Sequence, residues 1–500
     1  MADGSAGGIP HHDVAIIGTG FGGLCMAIQL QRDGRDDFVL LERGADVGGT
    51  WRDNHYPGAA CDVPSHLYSL SFEANADWSR KFPTQPELYA YLRDVTDKHG
   101  LRPHIRFNAR VDSARFDSGR GVWQVQTAQG ALTARVLVAA NGGLAEPKLP
   151  DIPGVERFAG KTFHSSQWDH DYDLSGKRVA VIGTGASAIQ FVPEIAERVG
   201  RLDVYQRTPN WIIPRPDRPY SDTEKTLFRK LPIVRRLHRA LIYWEHEARV
   251  MGMVINPALM KLFQKVAERH IRRQVPDAVL RRAVTPDYTI GCKRILISNA
   301  WYPALSRPNV ALITDGIREI REHSIVTADG TEREVDCLIF ATGFYATENP
   351  IAEVISGRDG QTLAQAWQDG EEAYLGTAVH GFPNLFFIVG PNTGLGHNSM
   401  VFMIETQVGY IRRLLAHLDS EAEGAALEVD ANVQSAYNAE LQGKLATSIW
   451  ATGCQSWYKH RSGKITALWP GFTFQFWLRA RQVRARDYRT LTPTHIPETA

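Results

Sequence analysis

The stretches VAIIGTGFGG (14–23) and VAVIGTGASA (179–188) decide how this chain folds. The first carries Gly18, Gly20 and Gly23 as G-x-G-x-x-G, and the second carries Gly183, Gly185 and Ala188 as G-x-G-x-x-A. Each follows a short apolar run and opens a segment of helical character. That is the setting of a dinucleotide-binding turn, where glycines let backbone N–H groups close on a pyrophosphate at the positive end of a helix. The residue 24 positions beyond the first glycine separates the two sites. Glu42 closes FVLLE, and a carboxylate there accepts hydrogen bonds from a free ribose and repels a 2′-phosphate. Arg207 closes LDVYQR, and an arginine suits a 2′-phosphate. The first site therefore reads as one for FAD and the second as one for NADPH.

Composition narrows the class. A chain of 500 residues has room for about three domains. Lys+Arg total 56 against Asp+Glu 55, a balance that argues against a nucleic-acid partner. The cysteines Cys25, Cys61, Cys292, Cys337 and Cys454 show neither C-x-x-C nor zinc-ligand spacing. They imply no metal, no disulfide redox centre and a reducing, cytoplasmic setting. MADGSAGGIPHH is polar and small, reads as a disordered tail, and lacks the basic and apolar regions of a secretory signal. No uncharged apolar run reaches the ~18 residues a membrane span needs.

The order of patterns predicts an α/β protein with two Rossmann-like dinucleotide-binding domains and a helical insertion. Residues 1–145 read as the first part of the FAD domain, 146–214 as the first part of the NADPH domain and 215–285 as the insertion. The NADPH domain then resumes over 286–340 and the FAD domain over 341–500, with the proline-rich EPKLPDIPG (146–154) as a linker. NVALITD, IREIREHSIVTADG and VDCLIFATGF read as three further strands of the NADPH domain. LFFIVGPNTGLGHNS (385–399) reads as strand, glycine turn and helix start, with the helix end aimed at a flavin. Residues 224–273 read as helical throughout, with twelve Lys/Arg against Glu224, Glu245, Glu247 and Glu268. Such a basic amphipathic pair is either a membrane-surface face or a solvated flank, and the second reading is taken, so no membrane contact is expected.

Two longer motifs carry a family resemblance. FAGKTFHSSQWD fits F-x-G-x-x-x-H-x-x-x-W-[P/D] through Phe158, Gly160, His164, Trp168 and Asp169. GGTWRDNHYPGAACD fits G-G-x-W-x-x-x-x-[Y/F]-P-G-x-x-x-D through Gly48, Gly49, Trp51, Tyr56, Pro57, Gly58 and Asp62. With these the chain resembles the type I (class B) Baeyer–Villiger monooxygenases, from Val14 to about Phe474. The resemblance implies that NADPH reduces FAD, O2 adds to the flavin as a peroxide, and one oxygen enters beside a ketone carbonyl to give an ester or lactone. Sulfides would be oxidised as well.

The resemblance also assigns residues. In GCKRILISNAWYPAL, Arg294 becomes the catalytic cation, with Asp62 as its carboxylate partner and Lys293 assisting Arg207 and Thr208 at the 2′-phosphate. By spacing alone, Arg294 reads as a surface residue and Asp62 as a turn or helix cap. For FAD the resemblance implies Gly18, Gly20, Gly23, Glu42, Trp51, Asp62, Tyr68 and Val111. For NADP it implies Thr184, Gly185, Ala186, Ser187, Arg207, Thr208, Lys293, Arg294 and Trp457. Trp457, in CQSWYKH, stands for the mobile-loop tryptophan that closes over NADP+, although KHRSGK departs from the longer run of many relatives. Trp301 replaces a common tyrosine and is expected to reshape the substrate pocket, and His164 is expected to couple the linker to the domains. The rival readings are an N- or S-hydroxylating flavin monooxygenase, a pyridine-nucleotide flavin or disulfide reductase, and a non-enzymatic NADPH sensor.

Overall fold

Strand β1 (His11–Ile17) runs into the first glycine turn, and β2 (Phe38–Leu41) lies parallel beside it, both buried at their cores. The helix Phe21–Arg32 connects them and turns an almost wholly apolar side onto the sheet, as a parallel crossover requires. This computed structural model describes residues 9–454 and 456–493. β3 (Ile105–Arg106) extends the edge beside β2. β4 (Val111–Asp117) and β5 (Val122–Thr127) form a hairpin, and β6 (Gly130–Ala139) joins it to β1. Residues 1–8 of the expected tail lie outside the described residues, but His11 and His12 do not belong to a tail, because β1 begins with them.

The chain then leaves this sheet to build another. β7 (Lys161–His164), β8 (Arg178–Ile182) and β9 (Arg201–Tyr205) are followed by a short parallel pair, β10 (Ile212–Ile213) with β11 (Leu296–Ile297). After β12 (Val310–Ile313) come β13 (Ile317–Ile320), β14 (Ser324–Thr327), β15 (Glu332–Glu334) and β16 (Cys337–Phe340). The parallel order is β12-β9-β8-β16-β7. IREIREHSIVTADG does not supply one strand of this sheet; it folds back as β13 and β14, which with β15 form a separate antiparallel sheet. Its charges explain why, since a parallel strand buried on both faces has no place for Arg318, Glu319 and Arg321.

The path back to the first sheet runs beside the path out. Lys148 N–H donates to Gly343 O at 2.9 Å and Tyr345 N–H to Glu146 O at 3.0 Å, so the two connections lie antiparallel. β17 (Ile355–Ser356) then pairs with β4, and β18 (Leu385–Phe387) with β6.

Residues 224–273 are not one continuous helical run. Helices Asp222–Lys230, Pro232–Glu247 and Met260–Gln274 are separated at Leu231 and by turns through Met251–Leu259. Pro232 starts a helix because its missing N–H needs no partner there, and Pro257 cannot continue one. Ser221 and Glu224 cap the first helix reciprocally.

The cysteine reading is corrected. Cys292 and Cys454 form a disulfide with their Cα atoms 6.2 Å apart, while Cys25, Cys61 and Cys337 are buried thiols. Partners 162 residues apart leave no local spacing pattern to read. Among the described residues no helix is long and apolar enough to cross a membrane, and no cluster of acidic, histidine and cysteine side chains forms a metal site.

Candidate active site

The first glycine turn is tied to β2, with Gly18 N–H donating to Leu41 O at 2.9 Å. A Cβ on Gly23 would lie 1.9 Å from Gly18 O, so the helix can approach the turn only with glycine there. A Cβ on Gly20 would meet only Gly49 Cα, at 3.8 Å, which leaves room before the helix N-terminus. Glu42 is buried at the mouth of this turn. Its Oε2 accepts from Thr19 N–H (3.2 Å) and the Thr19 hydroxyl (2.6 Å). Its Oε1 accepts from Gly44 N–H and from Arg52 Nη1, both at 2.7 Å. The carboxylate stands where expected, but Arg52 holds one of its acceptor positions. Trp51 donates its indole N–H to Tyr68 Oη at 3.3 Å. Val111 is buried two residues beyond Ala109, whose N–H donates to Glu42 O at 2.8 Å.

The second turn repeats the construction. Gly183 N–H donates to Tyr205 O at 3.1 Å with φ at +107°, and a Cβ on Gly185 would meet nothing within 4 Å. Thr184 O accepts from Asn210 Nδ2 at 2.8 Å, which draws the segment after Thr208 towards the turn. Ala186 is exposed and Ser187 half-buried. Tyr56 Oη donates to Gln190 Oε1 at 3.0 Å, and Gln190 Nε2 donates to Ala60 O at 3.0 Å. The 48–62 motif is thereby docked on the helix Ala188–Ile195. β9 ends at Tyr205, so Arg207 is exposed just past the strand rather than within it. Lys293 lies 4.9 Å over the Tyr288 ring, and burial followed by the Arg207 charge lowers the proton affinity of its ammonium.

The two halves also meet at an ion pair. Arg294 donates to Asp62 Oδ2 from Nη2 at 2.6 Å and from Nε at 3.2 Å. Side-chain exposures of 36% and 31% leave both groups partly open to solvent. Burial pulls the Asp62 carboxyl up, but the Arg294 charge and hydrogen bonds, with Arg215 behind them, leave it below the ordinary carboxylate value. Asp62 in turn raises the Arg294 guanidinium above its already high value, against the effect of burial. Both groups therefore stay charged across the neutral range.

Four further residues belong to this site, and the sequence did not single them out. Tyr458 is buried, and burial pushes its hydroxyl up to about 12 while the charges of Arg294 and Asp62 pull in opposite directions. Arg215 donates to Cys61 O at 3.4 Å. Arg249, from the insertion, is lowered by burial and feels the Asp62 charge. His397 is buried with both ring nitrogens unpartnered, and burial and then Arg249 lower it to about 3. Only tertiary proximity gathers them; the neighbouring Trp457 and the G-L-G-H run were the available signals.

The remaining expected residues sort differently. His164 is buried in β7, accepts from Ser166 N–H at 3.2 Å, and stands edge-on to Phe344 at 5.4 Å. Burial lowers it to about 4. Trp168 packs on Phe163 and Phe191, each at 5.1 Å, and Asp169 pairs with Lys161. Trp301 is 2% exposed and packs in the core beneath the second nucleotide sheet. Trp457 is 45% exposed, and the Cys292–Cys454 bond ties its loop to the residue before Lys293.

Comparison with known proteins decides the family. A family model described as pyridine nucleotide-disulphide oxidoreductase matches residues 15–225. A Baeyer–Villiger monooxygenase of Pseudomonas aeruginosa is 54% identical over 487 residues, covering 97% of this chain and 92% of that protein. This chain belongs to the Baeyer–Villiger monooxygenases. A second Baeyer–Villiger monooxygenase, from Streptomyces coelicolor, is 48% identical over 484 residues and covers 97% and 93% of the two chains. The crystal structure of OTEMO in complex with FAD and NADP superposes with a TM-score of 0.86 at 28% identity, over 97% of this chain and 100% of that one. As a Baeyer–Villiger monooxygenase the chain is a flavin-dependent oxygenase, which removes the disulfide reductase and the non-enzymatic sensor from the rival readings.

Proposed function

We propose that this monooxygenase binds FAD at the first turn and NADPH at the second, and inserts one atom of O2 beside a ketone carbonyl to give an ester or lactone. The observation that carries this reading is the Arg294–Asp62 pair at the junction of two glycine cradles. The fit to the cofactors is supported by the open space at Gly20 and Gly185 and by the orphaned ring nitrogens of His397, which call for a polar partner. Gly18, Gly20, Gly23, Glu42, Trp51, Tyr68 and Val111 would hold FAD, with Arg52 turning aside from Glu42 to admit the ribose. Thr184, Gly185, Ala186, Ser187, Arg207, Thr208, Lys293 and Trp457 would hold NADPH. Bound FAD supplies hydride acceptance and oxygen activation.

The protein's own task is to hold charge. Asp62 occupies the Nε and Nη2 side of the Arg294 guanidinium and so fixes its plane. Its Nη1 edge makes no hydrogen bond with a described residue and is free to donate to an oxygen that gains negative charge. Arginine keeps its protons at working pH, so the cation acts without being consumed. The buried Tyr458 hydroxyl feels the charges of both members of the pair.

The same arrangement would oxidise soft sulfides, which need no carbonyl. The test is incubation of the FAD-loaded protein with NADPH, isotopically labelled O2 and a panel of linear, cyclic and aromatic ketones and one sulfide, read by mass spectrometry. Esters or lactones carrying one labelled oxygen are expected. Oxidised sulfide, or oxidised amine when one amine is added to the panel, with no ester from any ketone would favour the N- or S-hydroxylating reading instead.

A further inference from the structure

We propose that the helical insertion docks on an anionic membrane surface. Among the described residues, twelve of the nineteen large hydrophobic side chains that stand strongly exposed fall between Leu227 and Val266. On the helix Pro232–Glu247 the outward face carries Leu237, Leu241 and Trp244, and on the helix Met260–Gln274 it carries Leu262, Phe263 and Val266. These positions repeat every three to four residues, so each helix turns an apolar stripe to solvent, where an amphipathic helix of a water-soluble domain turns it inward. Leu241 and Leu262 are 71% and 72% exposed. Met251 and Ile255 carry the stripe across the break between the helices. At its far end Trp244 lies 6.1 Å from Phe474, whose helix exposes Trp477 one turn on. A patch of this kind marks an interaction surface.

Charge identifies the occupant. Residues 224–273 hold twelve Lys/Arg against four Glu, which leaves 44 basic and 51 acidic residues (56 less 12, and 55 less 4) in the rest of the chain. A nearly neutral protein thus concentrates its positive charge on the segment that exposes its apolar stripe. Lys261 and Lys265 border the stripe, and Arg269, Arg272 and Arg273 close its end, all exposed. The arginines of the insertion that form ion pairs are Arg215, Arg218, Arg229 and Arg249, not any of these five, among the described residues. Apolar side chains flanked by long cations suit lipid headgroups, where the stems lie along the hydrocarbon and the charges reach phosphate. A second copy of the chain fits poorly, because a two-fold contact would set this basic face against itself. The inference stands on the insertion alone and not on the reading of the reaction; it revises the expectation that the basic face is merely solvated.

The test sediments the FAD-loaded full chain with vesicles of pure phosphatidylcholine and of phosphatidylcholine with one-third phosphatidylglycerol. Capture by the mixed vesicles, weaker capture by the neutral ones and release by added salt are expected. Leu241→Ser with Leu262→Ser, both strongly exposed, should lower partitioning roughly tenfold or more. That variant should keep the melting temperature and the rate on a water-soluble ketone. Brominated acyl chains should quench the parent's tryptophan emission more than that of Trp244→Phe. No capture by the mixed vesicles, or equal capture of the double variant, overturns the proposal. A dimer in light scattering that the double variant splits overturns it too, and would make the face a protein interface.

Discussion

Replacing Arg207 by glutamine tests the charge proposed to select the phosphorylated coenzyme. The structure sets the size of the effect. A charge-assisted hydrogen bond contributes about 1.5–3 kcal/mol. Arg207 is exposed, so water and salt screen part of this. Lys293 remains beside it, and its ammonium, held low by burial and then by the Arg207 charge, binds its proton more firmly once Arg207 is gone. This partial replacement leaves a net loss of about 1–2 kcal/mol, roughly 5- to 30-fold in kcat/KM for NADPH. The loss should appear mainly in KM, because the contact is made equally before and during hydride transfer. For NADH the variant should match the parent within roughly twofold. The assay is steady-state coenzyme oxidation with a fixed ketone, run with both coenzymes at low and high salt. Arg207→Gln with Lys293→Gln should cost about tenfold more for NADPH. An equal decline for NADH and NADPH would refute the assignment of this cation pair.

The buried histidines His66, His164, His246 and His397 are lowered to about 3, 4, 4 and 3, each chiefly by burial. Their folded values lie below the unfolded value near 6.5, so their stabilisation is complete above about pH 6.5 and is lost as pH falls towards 4. Each costs up to ~1.4 kcal/mol per pH unit in that window, and melting at pH 5.5 should come well below melting at pH 7.5; equal melting temperatures would contradict this. Gly185→Ala should keep the melting temperature while raising KM for NADPH, because its Cβ fills the cradle without touching the protein. Gly183→Ala, at φ +107° with its Cβ 2.5 Å from Ala341 O, should instead destabilise the fold by about 2 kcal/mol or more. Cys454→Ser should lower stability by about 2–4 kcal/mol and expose the Trp457 loop to limited proteolysis; an unchanged melt and digest would remove any role for the bond.

Much of the site could be read before any coordinates, for a physical reason. Dinucleotide turns are local, so Gly18, Gly20, Gly183 and Gly185 announce themselves in ten-residue windows. Asp62 and Arg294 are 232 residues apart, and only their motifs linked them; the structure joins them at 2.6 Å. What escaped depends on contacts that no window contains. Cys292 meets Cys454, Arg249 reaches the Asp62 field from the insertion, and Tyr458 rather than Trp457 is the buried aromatic residue that feels the charges of the pair. Arg52 on the Glu42 carboxylate was equally invisible, because a side chain can fold back over ten residues in many ways. The insertion failed in another sense. Its periodicity was plain, but periodicity does not say which face turns outward, and here the apolar one does.

The proposed oxygen transfer rests above all on Arg294 as its cation. The direct measurement is the yield of ester, and of hydrogen peroxide, per NADPH oxidised by FAD-loaded Arg294→Ala with a ketone that the parent converts. NADPH should still be consumed, with ester near zero and peroxide accounting for nearly all of it. An ester yield per NADPH equal to the parent's would contradict the account.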